Sequence, residues 1–169
     1  MRIMTEQNLR DAFSGESQAH MKYLIYSQVA EKEGYPNVAR LFKAIAHAEL
    51  VHARNHLKEL GGIKDSVENL QDAINGETFE VEEMYPAYHA VAELQEEKGA
   101  VRSTHYALEA EKIHAEMYTD AKKIVMEKKD IEIGTIQICD VCGYTVEADH
   151  APDKCPICSA PSTQFTAFA

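Results

Sequence analysis

Apolar residues recur every three or four positions along four long stretches of the chain, which is the spacing of one face of an α-helix. Helix-ending signals follow the first two stretches, Gly34-Tyr35-Pro36 after the first and Gly61-Gly62 after the second. A short helix or ordered turn is expected over residues 66–75, inside a longer connection at 61–77. The pattern predicts long helices over residues 5–33, 39–60, 78–98 and 100–128.

The third predicted helix contains Pro86, which removes a backbone hydrogen bond and so predicts a kink or another local irregularity. Four amphipathic helices with a longer middle connection are typical of a four-helix bundle. The two halves also resemble each other, because AELVHA at 48–53 returns as AEKIHA at 110–115. We therefore expect an all-α bundle made of two related helical hairpins.

The character of the chain changes after Lys129. The segment IEIGTIQI approaches the alternation of a β-strand, and two Cys-x-x-Cys pairs follow it, CDVC at 139–142 and CPIC at 155–158. The chain is therefore expected to hold a helical domain over residues 1–130 and a small metal-binding module with short β-strands over residues 131–169.

The composition is that of a globular protein, with 45% apolar residues and no run near the roughly 20 apolar residues of a membrane span. The N-terminal residues turn polar too early for a signal peptide, so a cytoplasmic protein is expected. The formal net charge of −11 disfavours nucleic acid and anionic membranes as partners. Bound cations would account for part of the acidic excess.

The repeated six-residue pattern carries the candidate chemistry. Glu49 and His52 are three apart on one predicted helix, as are Glu111 and His114 on another, so each pair shares a helix face. Each pair can direct one oxygen and one nitrogen toward a common point. Other glutamates that could complete a site for two cations lie on the remaining two helices: Glu16 on the first, and Glu80 and Glu83 on the third.

Charge makes this set of residues intelligible, because five ionised glutamates inside a bundle would repel one another and lose hydration. Two divalent cations would leave a net charge of −1, and two trivalent cations would leave +1. A site that stays near neutrality in both states suits iron that cycles between ferrous and ferric. Mixed glutamate and imidazole donors suit iron or manganese better than calcium.

The same residues have simpler interpretations than a di-iron site. A single Glu-x-x-His on a helix is usually a solvated face or a polar pair, but two copies on paired helices favour a di-iron carboxylate site. A zinc site at His52 and His56 lacks the HExxH pattern. Tyr23 and Tyr88 either donate hydrogen bonds to ligand carboxylates or are amphipathic core tyrosines.

The four cysteines can surround one tetrahedral metal ion with thiolates. The motif indicates a metal without saying which one, since zinc would give a structural ribbon and iron a one-electron carrier. A nearby redox-active di-iron site favours iron. The predicted ligands of this ion are Cys139, Cys142, Cys155 and Cys158.

These motifs together resemble the rubrerythrin family over essentially the whole chain. The helical part carries GESQAHMKY, AELVHA, EVEEMYP and AEKIHA in the family's order, and the tail is similar to a rubredoxin-like module. The resemblance implies a ferritin-like four-helix bundle over residues 1–130 and a rubredoxin-like Fe(Cys)4 domain over residues 131–169. One departure is Ser159, which follows the last cysteine where glycine usually permits a positive φ.

The resemblance also implies roles for the individual ligands. Glu49 and Glu111 would bridge the two irons, and Glu16 would bind one of them terminally. Glu80 and His114 would complete the other iron. The alternative ligands of the first iron, exchanged as the oxidation state changes, would be Glu83 and His52.

The function implied is that of a peroxidase, an oxidoreductase that reduces hydrogen peroxide to water in defence against oxidative stress. Its electrons would come through the cysteine-bound iron from a rubredoxin or an NAD(P)H-dependent reductase, because the chain has no Gly-rich dinucleotide fingerprint. The alternatives are a ferroxidase or iron-handling protein on the same bundle, and a zinc-ribbon binding module.

The expected assembly is a homodimer, with or without helices exchanged between chains through the connection at 61–77, or a higher homo-oligomer. Electron transfer across a head-to-tail dimer is a hypothesis that the family resemblance motivates.

Overall fold

The computed structural model describes residues 1–169, which form two compact units, Met1–Lys64 and Asp65–Ala169. The first unit contains helices only. The second contains further helices and a small antiparallel sheet. The order of the helices in the chain is α1 (Ile3–Lys32), α2 (Pro36–Glu59), α3 (Ser66–Phe79), α4 (Tyr85–Leu94) and α5 (Lys98–Met126).

The first unit is a hairpin of α1 and α2. Helix α1 ends where Gly34 takes a φ of 84°, a left-handed conformation that costs glycine little, and Pro36 then opens α2. The buried positions of α2 are Ala39, Ala46 and Ala53, each seven residues after the last. Small residues in one such stripe let the two helices pack closely along their length.

The second unit begins with α3, whose first turn is capped by Asp65: its side-chain oxygen accepts the backbone N–H of Glu68 at 2.9 Å. Five residues, Glu80–Met84, then form a single π-helical turn between α3 and α4. In this turn the N–H of Tyr85 bonds to the carbonyl of Glu80, five residues back. We call Glu80–Met84 the π-turn.

The structure corrects the sequence-based boundaries in this region. Helical backbone runs without a gap from Ser66 to Leu94, so the third helix does not begin near residue 78, and the expected connection at 61–77 is reduced to residues 60–65. The cap at Asp65 starts the helix early, and Gly76 is tolerated inside it at an exposed position. The irregularity expected near Pro86 is confirmed as the π-turn, which precedes it.

The tail forms a three-stranded antiparallel sheet of β1 (Ile136–Cys139), β2 (Thr145–Glu147) and β3 (Phe165–Phe168), in the order β2-β1-β3. Ile138 pairs with Thr145 on one side of β1 and with Thr166 on the other. The core beneath the sheet consists of buried cysteines and Ala160, and Tyr106 of α5 packs against this core. The module therefore has almost no apolar core of its own, and a bound metal would hold it together.

The two cysteine pairs form similar turns. The N–H of Gly143 donates to the carbonyl of Cys139, and the N–H of Ser159 donates to that of Cys155, both at 2.9 Å. Gly143 has a φ of 80° and Ser159 a φ of 63°. The serine thus adopts the left-handed conformation for which glycine is usual, at a cost in backbone strain.

Many large apolar side chains of the helices are exposed. Leu41 of α2 is 61% exposed, and Ile25, Val29 and Ile45 in the same hairpin are also exposed. Such faces on amphipathic helices mark surfaces that associate with other protein. None of the helices is long and apolar enough to cross a membrane.

We expect Ser159→Gly to raise the free energy of unfolding of the metal-loaded module by about 0.5 kcal/mol, because glycine relieves the left-handed strain and loses part of that gain to chain entropy. Guanidinium unfolding followed by the visible spectrum of the cysteine-bound metal measures the change. Ser162→Gly in the same module is the control, since Ser162 lacks a positive φ. Equal effects of the two substitutions would contradict the assignment of strain to Ser159.

Candidate metal centres

The first unit holds one cluster of candidate ligands, formed by Glu16 of α1 with Glu49 and His52 of α2. Their ligand atoms lie within 4.8 Å of one another. Nδ1 of His52 is 3.0 Å from Oε2 of Glu49 and 3.8 Å from Oε1 of Glu16. The structure thus brings together three of the residues predicted from the sequence, and we call them the first cluster.

The second unit holds a matching cluster of Glu77 from α3 with Glu111 and His114 from α5, again within 4.8 Å of one another. Nδ1 of His114 is 2.6 Å from Oε2 of Glu111. Both Glu-x-x-His pairs therefore adopt the same local arrangement, with Nδ1 facing the carboxylate three residues earlier. We call Glu77, Glu111 and His114 the second cluster.

The third predicted helix supplied two glutamate candidates, and the structure places them differently. Glu80 is half-buried and close enough to Glu111 and His114 for their charges to affect its pKa, whereas Glu83 is exposed. The π-turn explains the difference, because residues three apart share a face in an α-helix but not in a widened turn. Their roles as iron ligands stay a prediction.

The carboxylates of the second cluster bind protons unusually tightly. Burial, a hydrogen bond with Glu111 and the charges of Glu111 and Glu80 together raise the pKa of Glu77 to about 7, with burial the largest cause. Burial and the Glu111 charge also raise the pKa of Glu80, against the opposing effect of His114. Three carboxylates held this closely favour either a shared proton or a cation.

The two tyrosines proposed as hydrogen-bond donors, Tyr23 and Tyr88, lie in different surroundings. Tyr23 lies in an aromatic group with Tyr26 and Phe42, its ring centre 6.0 Å from that of Phe42, as expected of a core tyrosine. Tyr88 is exposed and stacks edge-on with Tyr85, with 6.4 Å between ring centres. Burial and the charges of Glu80, Glu111 and Glu77 raise the pKa of Tyr85, so this tyrosine is the one beside the second cluster.

The cysteine site is arranged for a metal rather than for disulfides. All four cysteines are free, and their sulfurs lie within 4.8 Å of one another. The distances from Cys139 to Cys158 and from Cys142 to Cys155 are 3.6 and 3.5 Å between sulfurs. Four thiolates with metal–sulfur bonds of about 2.3 Å have edges of about 3.8 Å, whereas a disulfide needs about 2.0 Å.

Backbone groups prepare this site for thiolates. Burial raises the pKa of Cys155, but the backbone N–H groups of Cys158 and Ile157, together with hydrogen bonds from the Cys142 and Cys158 thiols, hold that pKa below its usual value. Burial raises the pKa of the Cys142 thiol, against a backbone hydrogen bond from Tyr144. A metal cation would supply the charge that four buried thiolates need.

The cysteine module contacts the second cluster directly. Nε2 of His114 lies 2.8 Å from Oγ1 of Thr145, the first residue of β2. Thr145 is 4% exposed, and its hydroxyl also donates to the carbonyl of Gly143 at 3.0 Å. Both sites of the second unit are therefore joined through one buried side chain.

Comparison with known proteins agrees with this pair of sites. The family model described as Rubrerythrin matches residues 7–122, and the one described as Rubrerythrin, rubredoxin-like domain matches residues 137–166. Rubrerythrin-2 of Clostridium acetobutylicum is 49% identical, with 98% of this chain and 97% of the relative covered. The chain belongs to the rubrerythrin family.

Other relatives support the assignment of the chain to this family. Nigerythrin of Nitratidesulfovibrio vulgaris is 33% identical, with 97% of this chain and 86% of nigerythrin covered. A solved structure described as the fully reduced, all-ferrous state of nigerythrin matches with a TM-score of 0.56 at 32% identity, covering 97% of this chain and 86% of that one. The predicted fold class is thereby confirmed: a ferritin-like helical protein followed by a rubredoxin-like module.

Family membership makes the chain an oxidoreductase of the rubrerythrin type and identifies iron as its metal. The donor sets fit this metal, because carboxylates with imidazole suit a di-iron site and four thiolates suit a single iron. The predicted iron cofactors are confirmed at this level.

The sequence analysis missed two residues, Glu77 of the second cluster and Tyr85 beside it. Glu77 precedes Glu80 by three positions, so it would have been found had α3 been predicted to continue through residues 76–79. Tyr85 follows Glu80 by five residues and aligns with it only because the intervening turn is a π-turn. No spacing rule for an α-helix selects it.

We expect the chelator-treated protein to lose stability as the pH rises from about 4.5 to about 7. Unfolded Glu77 releases its proton near the ordinary glutamate pKa of 4.5, whereas the folded protein holds it until about 7, so the stability that this proton gives is lost as the pH rises across this interval. Urea unfolding at several pH values measures the slope.

Glu77→Gln should flatten that slope, because glutamine has no proton to lose. Glu82→Gln is the matched control, since Glu82 is exposed on the adjoining turn. A slope that survives in Glu77→Gln would show that the carboxylate repulsion lies elsewhere.

Proposed function

We propose that the chain is a non-haem di-iron peroxidase, which reduces hydrogen peroxide to two waters with two electrons and two protons. The observation that supports this function is the pairing of two Glu-x-x-His clusters with a four-cysteine site that contacts one of them through Thr145. An iron-storage protein has no use for a fused electron carrier in that position.

The residues proposed to hold two irons are drawn from both clusters and from the π-turn. As the family resemblance implies, Glu49 and Glu111 would be ligands shared by both metals, Glu16 would hold one of them, and His114 and Glu80 would hold the other. His52 and Glu83 would be alternative ligands of the first metal. Support for an exchangeable role comes from exposure, because His52 is 54% exposed and Glu83 is exposed, so both side chains are free to move.

When bound, the two ferrous ions supply the electron pair that cleaves the O–O bond. The chain's carboxylates balance the charge of the metals. They also hold protons close to the peroxide oxygens, which take up protons as they become water. Glu77 is suited to carrying a proton near neutral pH, since burial and its bond to Glu111 raise its pKa to about 7. The Tyr85 hydroxyl stays protonated beside these carboxylates and can donate a hydrogen bond there.

Iron bound at the cysteine site would supply replacement electrons to the di-iron site, and an external donor would then reduce the cysteine-bound iron again. Cys158 is the most exposed of the four ligands, so the donor's electrons enter at this edge of the module. A rubredoxin or an NAD(P)H-dependent reductase is the donor, because the chain itself has no dinucleotide fingerprint.

The active form is a homodimer, in which exposed apolar helix faces are covered by the second chain. The face that includes Leu41, Ile45 and Val29 supports this assembly, since exposed apolar surface of this kind is unusual in a stable monomer. Exchange of helix pairs between the chains would run through residues 60–65.

The peroxidase function predicts that peroxide reoxidises the fully reduced, iron-loaded protein much faster than oxygen does, in anaerobic stopped-flow followed in the visible spectrum. Glu111→Gln should slow this reaction at least about 100-fold, because it removes a ligand shared by both metals. The cysteine-bound iron should keep its spectrum in this variant.

Glu109→Gln is the control, since Glu109 pairs with Lys112 at 2.6 Å on a neighbouring face of α5. Faster reaction with oxygen than with peroxide would overturn the peroxidase function in favour of a ferroxidase. A colourless cysteine site would mean that the module is a zinc ribbon.

The homodimer predicts a sedimentation mass of at least two chains. Replacing Ile45 with Glu should weaken association at least tenfold, because it places a charge on the apolar face of α2. Asn55→Glu, at an exposed polar position of the same helix, should leave the mass unchanged. A monomer with full activity would contradict the proposed assembly.

A further inference from the structure

Thr145 is not a candidate metal ligand, but it contacts one. It lies in β2, two residues after Gly143 and three after Cys142, and is buried against α5. Its single hydroxyl contacts His114 of the second cluster at 2.8 Å and the carbonyl of Gly143 at 3.0 Å. One side chain therefore contacts both a histidine of α5 and the turn Cys139–Gly143, which we call the first cysteine turn.

The protons of this contact can be counted. A threonine hydroxyl has one hydrogen, and it is donated to the carbonyl of Gly143. Toward His114 the same oxygen can only accept, so Nε2 of His114 carries a hydrogen. This arrangement leaves Nδ1, the nitrogen that faces Glu111 at 2.6 Å, as the atom available to a metal.

Packing around the contact fixes its geometry. A Cβ placed on Gly143 would lie 3.7 Å from Cβ of Ala110, an ordinary van der Waals distance, so the turn Cys139–Gly143 lies directly beside α5. Tyr106, one turn earlier on α5, packs against the buried cysteines. The first cysteine turn is thus seated on α5 along the face that also carries His114, all within residues 65–169.

We propose that Thr145 is the positioning residue that couples the cysteine-bound iron to the bundle iron within one chain. It holds His114 as the Nε2–H tautomer, and it closes a short route of covalent and hydrogen bonds from Cys142 through the Gly143 carbonyl and the Thr145 hydroxyl to the imidazole. The redox part of this proposal rests on the peroxidase function proposed above, whereas the tautomer does not.

The coupling moves one electron at a time. With iron bound at both sites, each transfer would oxidise the cysteine-bound iron from ferrous to ferric and reduce one ferric ion of the bundle to ferrous, and the external donor would then supply the replacing electron. No proton leaves Thr145 or Nε2 of His114 in this step, since both hydrogens stay in their hydrogen bonds. The route lies inside one unit, which distinguishes it from transfer across a head-to-tail dimer.

The tautomer is tested on the full chain loaded with diamagnetic zinc, by nitrogen NMR of ¹⁵N-histidine. The expected result is a protonated, slowly exchanging Nε2 and a metal-bound Nδ1 at His114. Thr145→Val should speed exchange of that hydrogen at least tenfold, and Thr145→Ser should restore slow exchange. An Nε2-bound metal in the unsubstituted protein would overturn the assignment.

The coupling is tested by anaerobic stopped-flow after one equivalent of peroxide per reduced, iron-loaded chain. Thr145→Val should slow oxidation of the cysteine-bound iron at least tenfold more than it slows oxidation of the bundle iron. Thr145→Ser should stay within threefold of the unsubstituted rate. Thr166→Val is the matched control, because Thr166 lies in the other edge strand, β3, and its hydroxyl donates to Asp140.

The visible spectrum of the cysteine-bound iron reports whether each variant retains the module, and Thr145→Ala provides a smaller side chain if valine disturbs it. Unchanged coupling in a well-folded Thr145→Val or Thr145→Ala would overturn the proposal. Slow oxidation of the bundle iron by peroxide in the unsubstituted protein would instead count against the peroxidase function, with the tautomer result still standing.

Assemblies that combine two different variants distinguish electron transfer within a chain from electron transfer between chains. One chain carries His114→Ala with an intact module, and its differently tagged partner carries Cys139→Ala and Cys142→Ala with an intact His114. Transfer within a chain predicts no fast oxidation of the cysteine-bound iron in the purified mixture. A fast phase near half the normal amplitude would show transfer between chains and overturn the proposal.

Discussion

Burial and repulsion of confined carboxylates are the constraint on which the helices of the second unit depend. Glu77, Glu80 and Glu111 lie close enough that burial and mutual charge raise the pKa of the first two. Without a cation, protons must hold such a group together, and each ionisation works against the fold. A bound cation would remove this conflict because its charge would replace those protons. The residues that make the metal-free protein pH-sensitive are therefore the ones suited to buffering a redox-active metal.

The cysteine module depends on its metal for a related reason. Its core is made of cysteine side chains with only Ala160 as a further buried apolar residue, so little apolar area is buried within the module itself. The strain at Ser159 adds to the deficit, while backbone N–H groups near Cys155 favour a thiolate. A metal bound by four thiolates offsets these costs. Contacts from Tyr106 and Ala110 then tie the metal-dependent module to α5.

Much of this arrangement could be predicted from the sequence, because it rests on local periodicity. The Glu-x-x-His pairs were placed by the i, i+3 rule, and both adopt the same geometry in the structure. The positive φ expected after the last cysteine is present at Ser159 despite the missing glycine. Glu77 and Tyr85 escaped prediction because they depend on a helix that continues into a π-turn. That turn changes the spacing of side chains by an amount that no α-helical pattern contains.

Thr145 lies beyond sequence reasoning for a different reason. It is 31 residues from His114, and nothing in its neighbourhood marks a threonine as part of a redox site. Its role follows only from the packing of β2 against α5, which places one hydroxyl between an imidazole and a peptide carbonyl. Since that hydroxyl has one hydrogen, which it donates to the Gly143 carbonyl, the direction of both bonds is determined, and with it the nitrogen that His114 would offer to a metal. The proposed peroxidase consumes two electrons in each reaction and receives them one at a time, so it requires a fixed distance between its two metal centres. A buried hydrogen bond between the cysteine module and α5 would maintain that distance.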